Sequence, residues 1–341
     1  MVLCGGLRHN SAVTHADLLT DRFGRFHGYL RVSITDRCNF RCVYCMPEEG
    51  VAWQPRAEIL SFEEIERLAR FFVERGVRKI RLTGGEPTLR KGYLNLIEAI
   101  AAIPGLKQLA LTTNGTRLAQ DAAALKAVGL TSVNVSLDTL RPDRFVEITR
   151  RNELPRVLRG IETAQAAGLE TKINVVVLPG VNEDEIIHFG EFACKHSLTV
   201  RFIEFMPFLD NSWSAERVVS STEIRTRLLD RFALRPLAPG DSDVAREYAI
   251  DGSDGRVAFV SSVTESFCSG CNRLRLTADG QLKSCLFLPP SVSLRDLIRK
   301  GASDEELETA VRQCLDGKWS AHPPMRNWAQ RDNLTMVQIG G

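Results

Sequence analysis

Three closely spaced cysteines constrain this chain more than any other feature of its sequence. They are Cys38, Cys42 and Cys45, in the spacing C-x3-C-x2-C, and they follow a strand-like run from Leu30 to Thr35. Three thiolates at this spacing can hold three irons of a 4Fe–4S cube and leave the fourth iron without a protein ligand. A structural zinc usually has four ligands, and no histidine or fourth cysteine lies close by in the sequence. The pattern therefore predicts an iron–sulfur cluster whose open iron can bind and activate a small molecule.

Composition narrows the class of protein. The chain has 341 residues, of which 44% are hydrophobic, so it is long enough for one large or two moderate domains. A net charge of +2 speaks against a nucleic-acid binder. No apolar run reaches the length of a membrane helix, and polar residues at 8–10 stand where a signal peptide needs its apolar core. The nine cysteines are clustered and odd in number. We therefore expect metal chemistry in a reducing compartment, the cytoplasm, and no disulfide framework.

Strand-like and helical segments alternate through the first two thirds of the chain. The predicted strands are Leu30–Thr35, Lys79–Thr83, Gln108–Thr112, Ser132–Leu137, Thr171–Val177 and Thr199–Phe205. The predicted helices are Ser61–Arg75, Lys91–Ala102, Arg117–Val128, Leu154–Ala167 and Glu183–His196. Five or six βα units in succession require parallel strands and right-handed crossovers. This pattern predicts an α/β fold, either a barrel or an open doubly wound sheet.

The rhythm changes after Pro207, where short β runs and a few helices follow. The turn Ala278-Asp279-Gly280 is expected to join Asn272–Thr277 and Gln281–Ser284 into a hairpin. We therefore predict a loosely ordered N-terminal arm (1–24), a barrel domain (25–210) and a C-terminal domain (211–341).

Ligands in parallel α/β folds bind at the carboxyl ends of strands, and the first cysteine set obeys this rule. The loop after the second strand is Gly84-Gly85-Glu86-Pro87. Its glycines let the backbone approach a ligand closely, although a tight turn would explain this short motif equally well.

Several predicted strands carry cations at positions where a barrel interior is normally filled by Val, Ile and Leu. Lys79 and Arg81 share one strand face, and Arg31, Lys172 and Arg201 repeat the arrangement on other strands. Buried cations without partners are costly, so a converging set implies an anion with several charges, such as a polyphosphate. Internal salt bridges are the alternative explanation.

A second cysteine set, Cys268, Cys271 and Cys285, again offers three ligands without an evident fourth. Cys314 could complete the set, but it lies far along the chain in a helical pattern. A structural zinc is the alternative to an iron–sulfur cluster here. Arg273 and Arg275 share a strand face beside this set. An open iron there could hold a nitrogen or oxygen atom of a substrate.

The first cysteine set, with Tyr44 between its last two cysteines and the Gly84–Pro87 loop one βα unit later, resembles the radical S-adenosylmethionine (radical SAM) superfamily. With the second cysteine set and the terminal Gly340-Gly341 pair, the chain closely resembles the GTP 3′,8-cyclase family from about Phe23 onwards. The resemblance implies an incomplete (βα)6 TIM-like barrel of the radical SAM type, with a C-terminal α+β extension closing the barrel mouth. It also implies two 4Fe–4S clusters, S-adenosylmethionine as cofactor and cyclisation of GTP as the first step of molybdenum cofactor biosynthesis.

The same resemblance assigns residues by matched position. The expected S-adenosylmethionine contacts are Tyr44, Gly85, Ser136 and Met206. The expected GTP contacts are Arg31, Arg81, Thr112, Lys172, Arg273, Leu274 and Arg275. The two terminal glycines are expected to enter the active site during turnover, and no side chain is assigned a catalytic role. Taken alone, Ser136 would be a strand-end hydroxyl and Met206 a core methionine.

The resemblance further implies partners: GTP, an electron donor, the next pathway enzyme (cyclic pyranopterin monophosphate synthase) and a second copy in a homodimer. No nucleic acid and no membrane are expected. Two other functions stay open from the sequence. A peptide-modifying radical SAM enzyme would need more C-terminal cysteines and has no use for inward cations. A non-catalytic iron–sulfur electron carrier would have four protein ligands for each cluster.

Overall fold

A continuous twelve-stranded sheet organises the computed structural model, which describes residues 18–238, 244–324 and 334–340. The strands are β1 (Tyr29–Ser33), β2 (Lys79–Thr83), β3 (Gln108–Thr113), β4 (Ser132–Ser136), β5 (Glu170–Val177), β6 (Thr199–Glu204), β7 (Leu234–Pro236), β8 (Arg246–Ile250), β9 (Arg256–Val260), β10 (Arg273–Leu276), β11 (Gln281–Lys283) and β12 (Val292–Ser293). The α-helices are α1 (Phe62–Glu74), α2 (Tyr93–Ala101), α3 (Leu118–Ala127), α4 (Pro142–Thr149), α5 (Leu154–Ala166), α6 (Ile186–His196), α7 (Ser221–Leu229), α8 (Leu294–Arg299), α9 (Asp304–Asp316) and α10 (Met336–Ile339).

Six parallel strands, β1 to β6, lie side by side in chain order and form the (βα)6 unit. In the part of the chain that the structure describes, β1 and β6 do not pair with each other. Instead β10 pairs with β1, and β9 pairs with β6, both in parallel. The barrel is therefore incomplete, as the family resemblance implied, and strands of the C-terminal extension continue both of its edges. The six strands predicted in this region are present to within two residues at each end.

Helix α1 shows how local sequence determines an element. Ser61 accepts a hydrogen bond from the Glu64 backbone, and the Glu64 side chain accepts one from the Ser61 backbone, so the predicted capping box is present. Its apolar residues recur at helical spacing, and Ile65, Leu68 and Phe72 are buried against the sheet. The helix ends before Gly76, which adopts φ +109°.

Alternation along the strands separates the hydrophobic core from the barrel interior. In β5, Ile173, Val175 and Val177 are buried in the main core. The intervening Asn174 and Val176 line a cavity inside the barrel. Successive side chains of a strand point to opposite faces, so the period-two pattern gives the interior a polar lining.

The C-terminal extension carries the second cysteine set to the far end of the barrel. Because β9 runs parallel to β6, the chain leaves β9 at the carboxyl ends of the parallel strands. It enters β10 at their amino ends, where Arg273 pairs with Tyr29, the first residue of β1. Residues 261–272 therefore run from one end of the barrel to the other. Strand β11 returns antiparallel to β10, which brings Cys285 to the same end as Cys268 and Cys271.

The end of the chain reaches the opposite end, the mouth of the barrel. Helix α10 packs through Ile339 on Phe208 and Phe287, which form a small core separate from the main one. Gly340 follows in a left-handed conformation, φ +86°, beside Ser33 and Thr83 at the carboxyl ends of β1 and β2. The C-terminal extension therefore covers the mouth of the barrel with α10 and Gly340. Its strands β9 and β10 cover the open edges of the barrel at β6 and β1.

Two local differences from the sequence expectations stand out. Leu18 and Leu19 are buried, and Thr20 pairs with Phe26, so the described end of the predicted arm is packed and not loosely ordered. Two adjacent leucines are too short a signal to show periodicity; residues 1–17 of the arm lie outside the described residues. Helices α4 and α10 and strands β7 and β12 were not predicted. No helix in the described ranges is long and apolar enough to span a bilayer.

Candidate active site

One cavity is lined by both cysteine sets. Cys38, Cys42 and Cys45 follow β1 at the carboxyl ends of the strands, whereas the second set lies at the amino ends. The cysteines that the structure describes are all free thiols. A substrate inside the barrel would therefore lie between two sets of potential metal ligands.

Backbone and side-chain hydrogen bonds shape the first cysteine loop. The Arg41 guanidinium donates to the carbonyl oxygens of Cys38 and Phe40, both at 2.9 Å. The Tyr44 hydroxyl donates to the Asp138 carboxylate at 2.6 Å. Asp138 in turn accepts from the Val176 backbone, so the loop is tied to the ends of β4 and β5. Burial raises the pKa of Asp138 to about 6.

The Gly84–Pro87 loop packs directly on the first cysteine loop. The Gly85 N–H donates to the Thr35 carbonyl at 2.8 Å, and the Glu86 N–H donates to the Arg37 carbonyl at 2.7 Å. A Cβ atom on Gly85 would lie 2.4 Å from the Arg37 carbonyl oxygen. The glycines are therefore needed for contact between the two loops, in addition to the ligand approach that the sequence suggested.

Glu86 anchors this second loop. Its carboxylate is fully buried and accepts hydrogen bonds from the Thr88 and Asn114 backbones and from the Thr113 hydroxyl. The loop is thereby held to the end of β3, and its backbone is preorganised beside the cysteines.

The four residues expected to contact S-adenosylmethionine come together in the structure. Tyr44, Gly85, Ser136 and Met206 all line the cavity next to the first cysteine set. Met206 also packs on the small core formed by Phe208 and Phe287. The assigned set is therefore compatible with one ligand held against an open iron of the first cluster.

Four of the residues expected to contact GTP line the same cavity: Arg31, Thr112, Arg273 and Arg275. Arg31 and Arg275 are register partners on the neighbouring strands β1 and β10. Burial, and then the charge of Arg273, lower the pKa of Arg275 to about 10. Burial, and then the charge of Arg275, lower the pKa of Arg31. These cations therefore destabilise one another in a poorly solvated place, and an anion would relieve that repulsion.

Unsatisfied polar atoms in the cavity also indicate that a ligand binds there. Within the described ranges, Arg273 Nε, Arg275 Nη1, Thr112 Oγ1 and Asn134 Oδ1 are buried and have no hydrogen-bond partner. Native proteins leave few such groups unsatisfied, so each of these atoms calls for a partner from outside the chain. Donors and acceptors in one charged cavity fit a ligand that carries both phosphate groups and a polar base.

The other three expected GTP contacts do not line the cavity. The Arg81 guanidinium donates to the Tyr29 hydroxyl at 2.7 Å and to the Leu111 carbonyl at 3.1 Å. Lys172 forms ion pairs with Glu170 and with Glu247 of β8, at 3.1 and 3.2 Å. Leu274 is fully buried in the main core, on the face of β10 opposite the arginines. Internal ion pairs thus account for Lys172, but not for the arginines of β10.

Sequence reasoning left other lining residues out of the site. Asn134, Asn174 and Arg201 all line the cavity. Strand alternation singled out Arg201 and placed Asn174 on the same strand face as Lys172; it could also have identified Asn134, which occupies an inward position. Glu247 was also missed, and it pairs with Arg201 at 3.5 Å as well as with Lys172. Its strand, β8, joins the sheet beyond β9, which the sequence pattern does not reveal.

Electrostatic surroundings differ between the cysteine sets. Burial is the main reason that the pKa of Cys38 rises to about 11 and that of Cys45 to about 12. At Cys271 burial also raises the pKa, but the charge of Lys318 and contacts with Arg273 outweigh it, so the net pKa is lowered. Metal-bound cysteines must be thiolates, so the first set in particular needs the positive charge of iron.

In each cysteine set the donors are three thiols, the ligands that iron–sulfur cubes take. Within residues 18–238, 244–324 and 334–340, no three His, Cys, Asp or Glu side chains converge closely enough to hold one ion. Three thiolates on one zinc, with bonds of about 2.3 Å, would converge in that way. In a cube each thiolate binds a different iron, so the sulfurs are spread further apart. Cys314 is buried in the main core and does not line the cavity, so both sets keep three ligands.

Comparison with known proteins agrees with this geometry. Residues 32–193 match the family model described as the radical SAM superfamily, and residues 198–323 match the model described as Molybdenum Cofactor Synthesis C. The chain is 47% identical to the mitochondrial GTP 3′,8-cyclase of Arabidopsis thaliana, over 96% of this chain and 84% of that protein. It is 47% identical to molybdenum cofactor biosynthesis protein 1 of Drosophila melanogaster, over 89% of this chain but only 54% of that protein.

Among solved structures, the chain resembles Streptococcus suis SuiB with a TM-score of 0.57 at 15% identity, over 87% of this chain and 74% of SuiB. Likeness at this identity shows the fold alone. The fold and the first cysteine loop together define an enzyme of the radical SAM superfamily. The 47% identity with the Arabidopsis protein over 96% of this chain identifies the family more narrowly. The chain belongs to the GTP 3′,8-cyclase family.

Iron content tests the two-cube interpretation. Protein reconstituted without oxygen should bind about eight irons per chain and negligible zinc. Replacing Cys45 or Cys285 by Ser should leave about four irons, because each change removes one of only three ligands. Cys194→Ser, at a free cysteine outside the cavity, should keep about eight and serves as the control. Four irons together with one zinc in the unaltered protein would contradict the interpretation.

Proposed function

We propose that this chain converts GTP to (8S)-3′,8-cyclo-7,8-dihydroguanosine 5′-triphosphate, the first step of molybdenum cofactor biosynthesis. The observation that carries the proposal is a single cavity that holds two sets of three cysteines with Arg31, Arg273 and Arg275 on its wall. An electron carrier has no need of such a cavity, and a peptide substrate has no need of converging cations. A nucleoside triphosphate uses both features.

Residues at the mouth are proposed to hold S-adenosylmethionine. Cys38, Cys42 and Cys45 would hold the first cluster, which would supply the electron for reductive cleavage of S-adenosylmethionine and so for abstraction of the 3′ hydrogen of the GTP ribose. Tyr44, Gly85, Ser136 and Met206 would orient the cofactor for this transfer. Asp138 would keep Tyr44 in place through their 2.6 Å hydrogen bond. Holding the reactive carbon against the 3′ hydrogen, with bulk water excluded, is the protein's main contribution to the rate.

The arginines of β1 and β10 are proposed to bind the triphosphate. Guanidinium groups form strong, charge-assisted hydrogen bonds to phosphate, and Arg273 and Arg275 each have a buried nitrogen atom ready to donate. Thr112 Oγ1 and Asn134 Oδ1 are placed to meet polar groups of the same ligand. The guanine would then lie towards the second cysteine set, whose open iron can take a nitrogen or oxygen atom.

Three of the residues expected to contact GTP do not line the cavity, so the proposal must explain how each of them would act. Lys172 would have to leave Glu247 to reach a phosphate. Leu274 could contact GTP only through its backbone, because its side chain is in the core. Arg81 would act indirectly: it holds Tyr29, whose ring lies against the Arg273 guanidinium at 5.3 Å.

Partners and location belong to the same proposal. The reaction needs an external electron donor, and its product must pass to the next enzyme, cyclic pyranopterin monophosphate synthase. We also propose a homodimer and a reducing compartment, the cytoplasm, in keeping with the free thiols. The proposed boundary near residue 210 falls between β6 and α7.

Isotope transfer tests the proposed reaction. The product is an isomer of GTP, so its mass alone does not identify it. Anaerobic incubation with S-adenosylmethionine, dithionite and GTP deuterated at C3′ should yield 5′-deoxyadenosine heavier by one deuterium, together with a new nucleotide. GTP deuterated at C2′ is the control and should transfer none. Unlabelled 5′-deoxyadenosine from the C3′-deuterated substrate would exclude the proposed hydrogen abstraction.

The arginine wall leads to a binding prediction. Arg273→Ala and Arg275→Ala should each weaken GTP binding by roughly tenfold to a hundredfold, because a hydrogen bond to a charged group contributes about 1.5–3 kcal/mol. Binding of S-adenosylmethionine should be unchanged. Arg70→Ala, which removes an exposed guanidinium paired with Glu66, is the matched control. Equilibrium binding under anaerobic conditions provides the measurement; wild-type affinity for GTP in both variants would rule out the polyanion site.

The tail gives a further prediction. A Cβ atom on Gly340 would lie 2.5 Å from Ser33 Cβ, so the mouth accepts only a glycine there; Gly341 lies outside the described residues. Deleting both glycines should abolish cyclisation but leave both clusters and cleavage of S-adenosylmethionine largely intact. Gly340→Ala should reduce cyclisation through the clash. Gly180→Ala, at a glycine with φ +70° and open space around it, controls for backbone strain. Full cyclisation by the truncated protein would refute a role for the tail.

A further inference from the structure

A buried lysine contacts the second cysteine set. Lys318 follows α9 and is only 2% exposed. Its ammonium nitrogen lies 2.7 Å from the Ser284 carbonyl oxygen, 3.4 Å from the Arg273 carbonyl oxygen and 3.5 Å from Cys271 Sγ. It therefore joins both strands of the β10–β11 hairpin to a sulfur atom of the set.

We propose that Lys318 is a positioning residue for the second cysteine set, and that its hydrogen bond to Cys271 Sγ makes the cluster held there easier to reduce. The inference rests on the proposed function, because it requires a cluster at this set. A cluster gains negative charge on reduction, so hydrogen bonds to its sulfurs and nearby positive charge favour the reduced form.

The two cysteine sets differ strongly in the charges around them. Near the second set lie Lys318, Arg273 and Arg275, and Arg25 donates to the Cys268 carbonyl oxygen at 2.6 Å. Near the first set, Asp138 binds the hydroxyl of Tyr44, and the Glu86 carboxylate is buried under the adjoining loop. Arg41, Arg150 and Arg151 contact the first loop, and each donates to its carbonyl oxygens. The second set differs in that one of its cations, Lys318, donates directly to a cysteine sulfur, Cys271 Sγ.

A purely structural role is the alternative to be excluded. Two carbonyl contacts would be enough to tie Lys318 to the hairpin, and their loss would lower stability without changing the cluster's reduction potential. The thiol contact adds a different consequence, since it acts on the electronic state of the metal site. The potential of the second cluster separates the two roles, because a tether alone would not change it.

Redox titration of the holoenzyme, followed by electron paramagnetic resonance, provides the test. In Lys318→Met the ratio of reduced to oxidised second cluster at a fixed potential should fall about tenfold, which is about 59 mV for a one-electron couple. The first cluster should not change. Lys318→Arg keeps the charge and should restore most of the loss. Lys126→Met is the control, because Lys126 Nζ also donates to a carbonyl oxygen, that of Gly168, at 2.8 Å but contacts no thiol.

An unchanged second potential in Lys318→Met, with full iron content, would overturn the inference. If this variant loses the second cluster, pulsed resonance on holoenzyme labelled with ¹⁵N-lysine decides the question. A ¹⁵N coupling at the second cluster that Lys318→Arg abolishes supports the contact, and its absence in the unaltered protein refutes it. Failure of the proposed function itself looks different: the unaltered protein would hold about four irons or would not cyclise GTP.

Discussion

The parallel pairing of β10 with β1 is the interaction on which both halves of the site depend. It sets Arg275 beside Arg31 and Arg273 beside Tyr29, and so builds a cationic wall from two segments far apart in sequence. The same pairing fixes where the chain enters β10, and therefore where Cys268 and Cys271 lie. A slip of one residue would turn the arginines into the core and Leu274 into the cavity. One register thus determines both the charge of the cavity and the position of its second metal site.

That wall is costly unless something binds to it. Neighbouring strands are about 4.8 Å apart, and two unit charges at that spacing would repel by about 3.5 kcal/mol at an effective dielectric constant of 20. Glu247 offsets the charges of Lys172 and Arg201, but within the described ranges no carboxylate pairs with Arg273 or Arg275. A protein whose net stability is about 5–15 kcal/mol keeps such a feature where function requires it. Binding of a polyphosphate, as proposed above, would relieve this repulsion and couple charge in the free protein to affinity for substrate.

Much of the fold and part of the candidate site could be predicted from the sequence, because they follow from patterns within single strands and helices. Alternation identified Arg31 of β1 and Arg201 of β6 as inward residues, and the Ser61 capping box located the start of α1. What could not be predicted depends on pairing between distant strands. The parallel addition of β9 and β10 to the barrel edges is one case, and the Glu247 carboxylate that reaches Lys172 from β8 is another. Matched position assigned Arg81 to the ligand, whereas its hydrogen bonds to Tyr29 and Leu111 give it a supporting position.

The opposite ends of the cavity also perform different electrostatic tasks. A cluster that must donate an electron to a stable sulfonium cofactor needs a low reduction potential. Buried carboxyl groups near the first set, Asp138 and Glu86, work in that direction because they disfavour added negative charge. Under the proposed function the second cluster would hold the guanine of a polyanionic substrate, and the cations Lys318, Arg273 and Arg275 would favour its binding. This difference in charge between the two ends of the cavity follows from the elements that reach each end. Polar strand ends lie at the mouth, and the β10–β11 hairpin, which the buried Lys318 contacts, lies at the other end.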